Sequence, residues 1–351
     1  MFEPQVRPRS APLALAVLIL MGTVLQIRHA PAADQSPTTV GHIERLDPAF
    51  DKLVPPGAKI EVISDGNAWC EGPLWVPSGG FLLWSNIPNN AIMRWDPKSG
   101  VSLFLKPSGY TGTQPRGGES GSNGLTLDRQ GRLILCQHGD RRIARLDAPW
   151  NNPRPKFVTL ADRYQGKRFN SPNDVIVDSR GAIYFTDPPY GLEKGLDDPK
   201  RELSFYGVYR IAPDGKLKLL TADLERPNGI ALSPDEKTLY VSNSDEKRQV
   251  IMAYPLNADG TLSRGRVFFD ATAVAAKPGA CDGLAIDTHG NLFATIPGGI
   301  GVFTPRGKQL ALIDTADRTG NCKFGEDGST LFIAANHRIL RIRTTTKGAG
   351  F

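Results

Sequence analysis

The chain has 351 residues, of which 40% are hydrophobic and 22% are charged, and its formal net charge is +6. The basic residues are scattered among acidic ones, as in Asp140-Arg141-Arg142, so the positive net charge is that of a solvated surface. A face that binds nucleic acid would need clustered basic residues, and the sequence has none, so we expect no nucleic-acid partner. The length is large for one domain unless a repeat architecture carries it.

The first 32 residues have the pattern of an export signal. Arg7 and Arg9 precede an apolar stretch at residues 11–25, and a small-residue cleavage site ends at Ala32. These features predict a signal peptide at residues 1–32, and hence a periplasmic or secreted protein. The alternative is an uncleaved membrane anchor, for which the apolar stretch is short. No later stretch is apolar enough to span a membrane, so we expect no membrane association after cleavage.

The rest of the chain has the pattern of short strands. Residues 33–55 are rich in Pro, Asp and Ser and predict a linker along the outside of the domain, while residues 56–351 predict the folded domain itself. Across that domain, short apolar runs alternate with polar residues and are broken by Gly, Pro, Asn and Asp. Helical periodicity is nearly absent. The expected fold class is therefore all-β.

The strand pattern recurs six times, each time with a polar residue before an apolar run, a tight turn and a second apolar run. These polar residues are Glu71, Asn123, Asn173, Asn228, Asp282 and Asn321. Successive members are 52, 50, 55, 54 and 39 positions apart. A period of this size, with several strands in each unit, predicts a six-bladed β-propeller. Because the innermost strands of a propeller line one channel, we expect these six positions to converge on its axis.

The last repeat is one strand short. After Asn321 the chain supplies three apolar runs and then stops, whereas the earlier repeats can be divided into four strands. A strand at residues 59–63 precedes the first blade and has no blade of its own. We expect this N-terminal strand to pair as the outermost strand of the last blade. That pairing would close the ring and hide sheet edges that invite aggregation.

Two carboxylates, Glu71 and Asp282, would meet amide oxygens in the channel. Calcium takes six to eight such oxygens, and the absence of Cys and His from the six positions disfavours zinc and copper. A structural alternative is that Asn and Asp cap turns, which suits Asn123, Asn228 and Asp282 because Gly follows each of them. It does not account for Glu71, since Glu has no special turn chemistry. The pattern predicts a hard-cation site, with Asn321 expected to be structural.

Nearly the whole domain carries motifs in one order, namely EGPLW, SPNDVIVD, FTDPPYG, RPNGIALSPDEKTLYVS and CDGLAIDTHGNLF. Together they resemble the senescence-marker-protein/gluconolactonase family of six-bladed propellers. That family includes regucalcin, bacterial gluconolactonases and squid-type diisopropylfluorophosphatase. The resemblance extends from about Glu71 to the last repeat, and the motifs are diagnostic as a set rather than singly.

The resemblance implies a bound divalent cation, most often Ca²⁺, with Mg²⁺, Mn²⁺ and Zn²⁺ left open. Its ligands would be the polar residues of the EGP, PND, PNG and DG motifs, which are Glu71, Asn173, Asn228 and Asp282. The resemblance also implies that Asn173 contacts metal or substrate, and that Asn123 is a further channel residue that binds substrate. His138, just past the second strand of blade 2, is expected to reach the channel mouth as a substrate contact.

The implied activity is that of a gluconolactonase-like enzyme, which hydrolyses a small-molecule sugar lactone and has no obligate protein partner. The metal would polarise the lactone carbonyl, water would attack it, and Asp282 would accept the proton. One alternative is hydrolysis of an organophosphate or arylester on the same metal site. Another is a non-enzymatic propeller that binds protein or glycan on its rim, with calcium as a structural pin. The mixed set of carboxylates and amides weighs against the last.

Overall fold

Four-stranded antiparallel sheets make up the first three blades. The computed structural model describes residues 1, 2, 5 and 37–351. From the inside outwards, blade 1 contains Cys70–Val76, Phe81–Asn86, Ala91–Asp96 and Gly100–Leu105. Blade 2 contains Ser122–Leu127, Leu133–Gln137, Arg142–Leu146 and Phe157–Ala161, and blade 3 contains Val175–Val177, Ile183–Asp187, Gly207–Ile211 and Leu217–Thr221. A small hairpin, Arg163–Tyr164 and Lys167–Arg168, lies between blades 2 and 3 in the chain.

The last three blades complete a ring. Blade 4 contains Pro227–Leu232, Thr238–Asp245, Arg248–Pro255 and Arg266–Asp270. Blade 5 contains Leu284–Ile286, Leu292–Ile296, Gly299–Phe303 and Gln309–Asp314, and blade 6 begins with Thr319–Gly325, Thr330–Ala335 and Arg338–Arg343. The inner strands of consecutive blades contact each other, and that of blade 6 contacts that of blade 1. The expected six-bladed propeller is confirmed.

The fourth strand of blade 6 comes from the N-terminal side of the domain. Glu61–Ser64 pairs antiparallel with Arg338–Arg343, and Val62 lies opposite Leu340 in the register. An ion pair of 2.7 Å between Glu61 and Arg341 joins the same two strands. The expected closure of the ring by the N-terminal strand is confirmed, one to two residues further along the chain than the sequence pattern placed it.

The segment predicted as a linker has its own structure where it is described, from residue 37 onwards. His42–Arg45 adds a fifth strand to the outer edge of blade 5, with Ile43 opposite Ile313. A 3₁₀-helix, Pro48–Lys52, follows and buries Phe50 completely. Two further 3₁₀ turns, Gly195–Asp197 and Thr272–Val274, lie in blade connections. The segment therefore covers a sheet edge as well as connecting elements.

The predicted signal peptide lies outside the described residues apart from residues 1, 2 and 5, and it stays a prediction. The first four residues of the predicted linker, 33–36, lie outside them too. Within the part of the chain that the structure does describe, no helix has the length and apolar character needed to cross a bilayer.

The apolar core lies between neighbouring blades, and the N-terminal segment contributes to it. Ile60 is 2% exposed and packs with Phe50, Phe293 and Leu340, which belong to the helix, blade 5 and blade 6. These contacts couple the segment before blade 1 to the last two blades. The segment is therefore expected to contribute to the stability of the ring as well as to its topology.

We expect Ile60→Ala to destabilise the folded protein by about 2–5 kcal/mol, the usual cost of truncating a buried isoleucine. The matched control is Val101→Ala, which removes an aliphatic side chain that is 44% exposed and should change stability by less than about 0.5 kcal/mol. Denaturant unfolding of the two variants and the parent would measure both effects. Equal, small effects would mean that the N-terminal segment is peripheral to the fold.

Candidate functional site

Five of the six repeated polar residues line one cavity at the centre of the ring. The cavity has a volume of about 650 Å³. Its wall includes Glu71, Asn123, Asn173, Asn228 and Asp282, one from each of blades 1 to 5. The expected convergence of these positions is therefore present in the structure. The sixth residue, Asn321, is not part of the cavity wall.

Breaks in strand pairing present these side chains to the cavity. Between the inner and second strands, the register shifts at four of the six positions, between Glu71 and Leu74, Ser122 and Leu125, Pro227 and Ile230, and Thr319 and Asn321. In blades 3 and 5 the inner strand begins two residues after the site residue, at Val175 and Leu284. Such irregularities re-aim a side chain that regular pairing would hold in the sheet.

Hydrogen bonds between blades fix the backbone of the site residues. In three places a hydroxyl on the second strand of one blade donates to the carbonyl of the site residue in the next blade. The pairs are Ser85 Oγ to Asn123 O at 2.7 Å, Thr186 Oγ1 to Asn228 O at 2.6 Å, and Ser242 Oγ to Asp282 O at 2.8 Å. Blades 1, 3 and 4 therefore each position a site residue of the next blade.

Two buried amide oxygens in the cavity wall have no hydrogen-bond partner among the described residues. They are Oδ1 of Asn123 and Oδ1 of Asn228. Asn228 Nδ2 donates to Ser244 Oγ at 2.9 Å, which leaves its oxygen free to face the cavity. A buried polar atom without a partner is costly and calls for an explanation, such as an ion. Two such oxygens in one cavity indicate a ligand that accepts electron pairs.

The two carboxylates of the cavity are strongly desolvated. Burial raises the pKa of Glu71 to about 8, although the backbone N–H of Gly72 opposes the shift. Burial also raises the pKa of Asp282 well above its ordinary value, and the charge of Glu71 adds to that effect. Arg226, on the same wall, pairs with Asp245 at 3.5 Å and Glu246 at 3.8 Å instead. A cation between Glu71 and Asp282 would relieve this strain.

The donor set fits a hard divalent cation. Glu71 and Asp282 supply charge, and Asn173 and Asn228 supply amide oxygens from the same cavity wall. Oxygen ligands of this kind suit Ca²⁺, Mg²⁺ and Mn²⁺ better than they suit zinc. The described residues contain no group of three or more His, Cys, Asp or Glu that could hold an ion. A metal at this place would therefore depend on the amide oxygens.

Glu71 is held by groups from two sides. Its Oε2 accepts a hydrogen bond of 3.0 Å from the N–H of Gly72, and the polar side chain of Asn321 lowers the pKa of Glu71. A Cβ atom at Gly320 would lie 2.2 Å from Glu71 Oε1, so only glycine leaves room for this carboxylate. Asn321 lies outside the cavity wall and acts on Glu71 from there. This position agrees with the structural role expected for Asn321.

His138 does not reach the cavity as expected. Its side chain is completely buried and is not part of the wall. Glu119 takes that place, with its Oε2 3.0 Å from His138 Nδ1 and its carboxylate on the cavity wall. A direct substrate contact by His138 is therefore not supported by this structure, because Glu119 stands between the ring and the cavity.

Four functional candidates were not identified from the sequence. Glu119, Tyr190 and Arg226 line the cavity. Burial raises the pKa of the Tyr190 hydroxyl. Two of the three lie in or beside recognisable motifs, since Tyr190 ends DPPY and Arg226 begins RPNG, and adjacency to those motifs could have identified them. Glu119 lies in an irregular connection, where no periodic signal marks it.

Asp174, the fourth, is a buried carboxylate that ties two blades together. Its Oδ1 accepts from Val175 N at 2.9 Å, and its Oδ2 accepts from Ile230 N in blade 4 at 3.2 Å. Burial raises the pKa of Asp174, and the charge of Lys323 opposes the shift. Its negative charge also raises the pKa of both Glu71 and Asp282. Asp174 therefore makes the cavity more attractive to a cation without lining it.

Comparison with known proteins gives a family match over most of the domain. Residues 69–337 match the model of the SMP-30/Gluconolactonase/LRE-like region. The chain belongs to this family. Within the family, it is 43% identical to a gluconolactonase of Zymomonas mobilis over 345 residues, which is 95% of each chain. The expected class, an enzyme of the gluconolactonase type, is thereby confirmed.

Solved structures agree with this assignment. The chain is 32% identical to a gluconolactonase of Xanthomonas campestris, with a TM-score of 0.75. The match covers 88% of the present chain and 97% of the Xanthomonas protein. A regucalcin of Agrobacterium tumefaciens, described as a calcium-binding protein, has a TM-score of 0.63 at 20% identity over 84% of this chain and 95% of its own. At 20% identity, the regucalcin structure supports the propeller fold alone.

Proposed function

We propose that this protein is a metal-dependent lactone hydrolase that opens a sugar lactone in its central cavity, with Ca²⁺ as the cation. The observation that carries the proposal is the cavity wall itself. Two desolvated carboxylates and two amide oxygens without partners face one cavity of about 650 Å³. That volume suits a monosaccharide-sized ligand. The similarity to gluconolactonases over nearly the whole chain supports the same activity.

The cation would be held by Glu71, Asn173, Asn228 and Asp282, the four residues with the required oxygens. When bound, it would supply Lewis-acid polarisation of the lactone carbonyl and stabilise the charge that develops on its oxygen. The blade contacts described above hold the donor residues in place before substrate arrives, which is the condition for such electrostatic stabilisation. Asn123, whose amide oxygen is also free, is assigned to a substrate hydroxyl.

Asp282 is assigned as the proton acceptor for the attacking water. Its carboxylate lines the cavity, and burial together with the charge of Glu71 raises its proton affinity. A bound cation would lower that proton affinity again, so the assignment rests on the place of the carboxylate in the cavity wall. Tyr190 and Arg226 stand on the same wall and are assigned to orient the polar groups of the substrate. Side chains from several blades therefore divide binding and proton transfer among them.

Hydrolysis of glucono-1,5-lactone by the purified protein is the test. The rate would be measured in a pH indicator assay, after chelation with EGTA and again after Ca²⁺, Mg²⁺, Mn²⁺ or Zn²⁺ is added back. We expect chelation to abolish turnover and Ca²⁺ to restore it. An organophosphate and an arylester in the same assay would test the alternative substrate classes. A protein that binds Ca²⁺ but hydrolyses none of the three would be a non-enzymatic propeller.

Calcium should stabilise the folded protein more at pH 8 than at pH 5. Without a cation, Glu71 binds its proton with a pKa of about 8, against 4.5 for an ordinary Glu, so the folded state holds more protons than the unfolded state. Stability without metal therefore falls as pH rises through this window. Ca²⁺ replaces the proton and removes that loss. The midpoint of thermal unfolding, measured with Ca²⁺ and with EGTA at both pH values, checks this.

In the variant Glu71→Gln, this pH dependence of the calcium effect should become smaller, because one of the two titrating carboxylates is gone. A calcium-induced shift of the unfolding midpoint that is independent of pH in the parent protein would contradict the assignment of Glu71 as a ligand. No shift at all would contradict a Ca²⁺ site in this cavity.

We also propose that the protein is exported, with residues 1–32 removed. The support is the arrangement of Arg7 and Arg9, the apolar stretch at residues 11–25 and the cleavage site at Ala32. Extracellular or periplasmic fluid would expose the site to free Ca²⁺ at concentrations that weak oxygen sites can bind. Intact-mass measurement of the protein recovered from the periplasm or medium would give a chain that begins at residue 33. A full-length chain retained in the membrane fraction would contradict cleavage.

A further inference from the structure

Glu119 is a carboxylate of the cavity to which neither the sequence pattern nor the proposed cation site assigns a role. It lies between blades 1 and 2, four residues before Asn123, and its side chain is 35% exposed. The carboxylate lines the same cavity as Glu71 and Asp282. It therefore faces the substrate space from the side of blade 2, while remaining in contact with solvent.

His138 is the neighbour that makes Glu119 unusual. The imidazole is completely buried, and its Nδ1 lies 3.0 Å from Glu119 Oε2, without the alignment of a formed hydrogen bond. Neither ring nitrogen has a hydrogen-bond partner among the described residues. Gly191 covers the ring so closely that a Cβ atom there would lie 2.5 Å from His138 Cβ. A proton on Nδ1 therefore has Glu119 as its neighbour.

Arg116 holds the segment that carries Glu119. Its guanidinium donates to the carbonyl of Glu119 at 3.2 Å and also to the carbonyl of Gly191, and its Nε lies 3.8 Å from Glu193. The Arg116 side chain is 7% exposed. The connection before blade 2 and the connection after the second strand of blade 3 are thus fastened together around His138. Glu119 is held at the cavity wall by contacts that do not depend on substrate.

Opening a lactone ring requires a proton as well as a base. Attack of water on the carbonyl carbon breaks the ring C–O bond and releases an alkoxide, which is a poor leaving group unless it is protonated. Asp282 is assigned to take the proton of water. Glu246 also lines the cavity, but its side chain is 87% exposed and Arg226 lies 3.8 Å from it. Burial raises the pKa of the Tyr190 hydroxyl, which makes it a weak proton donor.

We propose that Glu119 is the proton donor to the leaving ring oxygen, with His138 as the residue that positions and supplies its proton. The inference rests on the proposed lactone hydrolysis. The water oxygen forms a bond to the carbonyl carbon while the ring C–O bond breaks. The proton of water goes to Asp282, and the proton of the Glu119 carboxyl, which His138 Nδ1 supplies, goes to the ring oxygen. The product is a hydroxy acid. Asp282 then releases its proton to solvent, and Glu119 regains a proton from solvent at its exposed side.

The contact between Glu119 and His138 fits this role. Catalytic hydrogen bonds are often long or poorly aligned before substrate binds, and they tighten in the substrate complex. The buried imidazole is a neighbour that can itself carry the proton and release it.

The test compares two lactones that differ in their need for a proton. Glucono-1,5-lactone releases an alkoxide, whereas dihydrocoumarin releases a phenolate, which departs without help. We expect Glu119→Gln to lower kcat on gluconolactone by about 10²–10⁴-fold, the usual size of a general acid contribution, and to change dihydrocoumarin turnover little. The matched control is Glu202→Gln, the same chemical change at a residue of similar exposure that does not line the cavity. Both rates should be unchanged in the control.

Rescue by a small acid gives a second readout on gluconolactone alone. In Glu119→Ala, added formate buffer should restore part of the rate, because the vacated position opens to the cavity and admits a small acid. Equal losses on both lactones, an unchanged rate on gluconolactone, or a loss that formate does not rescue would each overturn the proposal. A parent protein that hydrolyses neither lactone would contradict the proposed function itself, so the two failures are distinguishable.

Discussion

Replacing Asp282 by Asn should lower lactone turnover by about 10²–10⁴-fold while weakening cation binding far less, because general-base loss has that usual cost. The amide keeps an oxygen for the metal but loses both the charge and the affinity for a proton. Asp282 lines the cavity, and its carboxylate has a raised pKa because of burial and the charge of Glu71. The lactonase rate as a function of Ca²⁺ concentration, together with calorimetric Ca²⁺ binding, measures both effects.

Glu71→Gln is the matched comparison, since it makes the same chemical change at the other buried carboxylate. We expect it to act mainly through cation affinity, so that excess Ca²⁺ restores much of the rate. If saturating Ca²⁺ restored Asp282→Asn to nearly the parent rate, Asp282 would be a ligand alone. The proton of water would then have to go to another group, and Glu119 with His138 would be the first pair to examine.

Gly320→Ala should impair the site with little effect on folding. The added methyl group would lie 2.2 Å from Glu71 Oε1 and 3.0 Å from Glu71 Cδ, and the nearest backbone atom, Cys70 O, would be at 3.5 Å. The atom that must give way is therefore the end of a flexible side chain. A displacement of roughly 1 Å at a catalytic site can cost about 10²-fold in rate. Ca²⁺ affinity, lactonase rate and the thermal unfolding midpoint would be measured together.

Gly117→Ala is the control for this substitution, because a Cβ at Gly117 would have no atom within 4 Å and the position needs no positive φ. It should leave affinity, rate and unfolding midpoint unchanged. A parental Ca²⁺ affinity in Gly320→Ala would show that the Glu71 carboxylate does not need its present position. A large loss of stability would instead show that the backbone, rather than the carboxylate, had moved.

The blades and the convergent residues could be predicted because both follow from periodicity. Alternation along strands and a repeat near 50 residues specify which positions face the channel, and this placed Glu71, Asn123, Asn173, Asn228 and Asp282 on one cavity wall. The missing strand of the last repeat was also predictable, since an incomplete sheet must find a partner for its edge. These inferences need only the repeat and the geometry of a sheet.

The connections could not be predicted in the same way, because no period determines where an irregular segment folds. Glu119 comes to the cavity through the contacts of Arg116 with a distant connection, and this placement in turn keeps His138 away from the substrate. The strand His42–Arg45 is short and half-exposed, and its burial pattern carries little apolar signal. The placement of Glu119 and the pairing of His42–Arg45 both depend on tertiary contacts between segments far apart in sequence.

Because the ring closes between the first and last blades, the proposed cation site is complete only in a fully folded chain. Glu71 belongs to the first blade, yet Gly320, which leaves room for its carboxylate, belongs to the last. The last blade is completed in turn by Glu61–Ser64, from just before the first. A chain whose last blade has not yet folded has Glu71 but lacks the glycine that makes room for its carboxylate. Ca²⁺ bound at the proposed site would thus favour fully folded molecules and hold the two ends of the ring together.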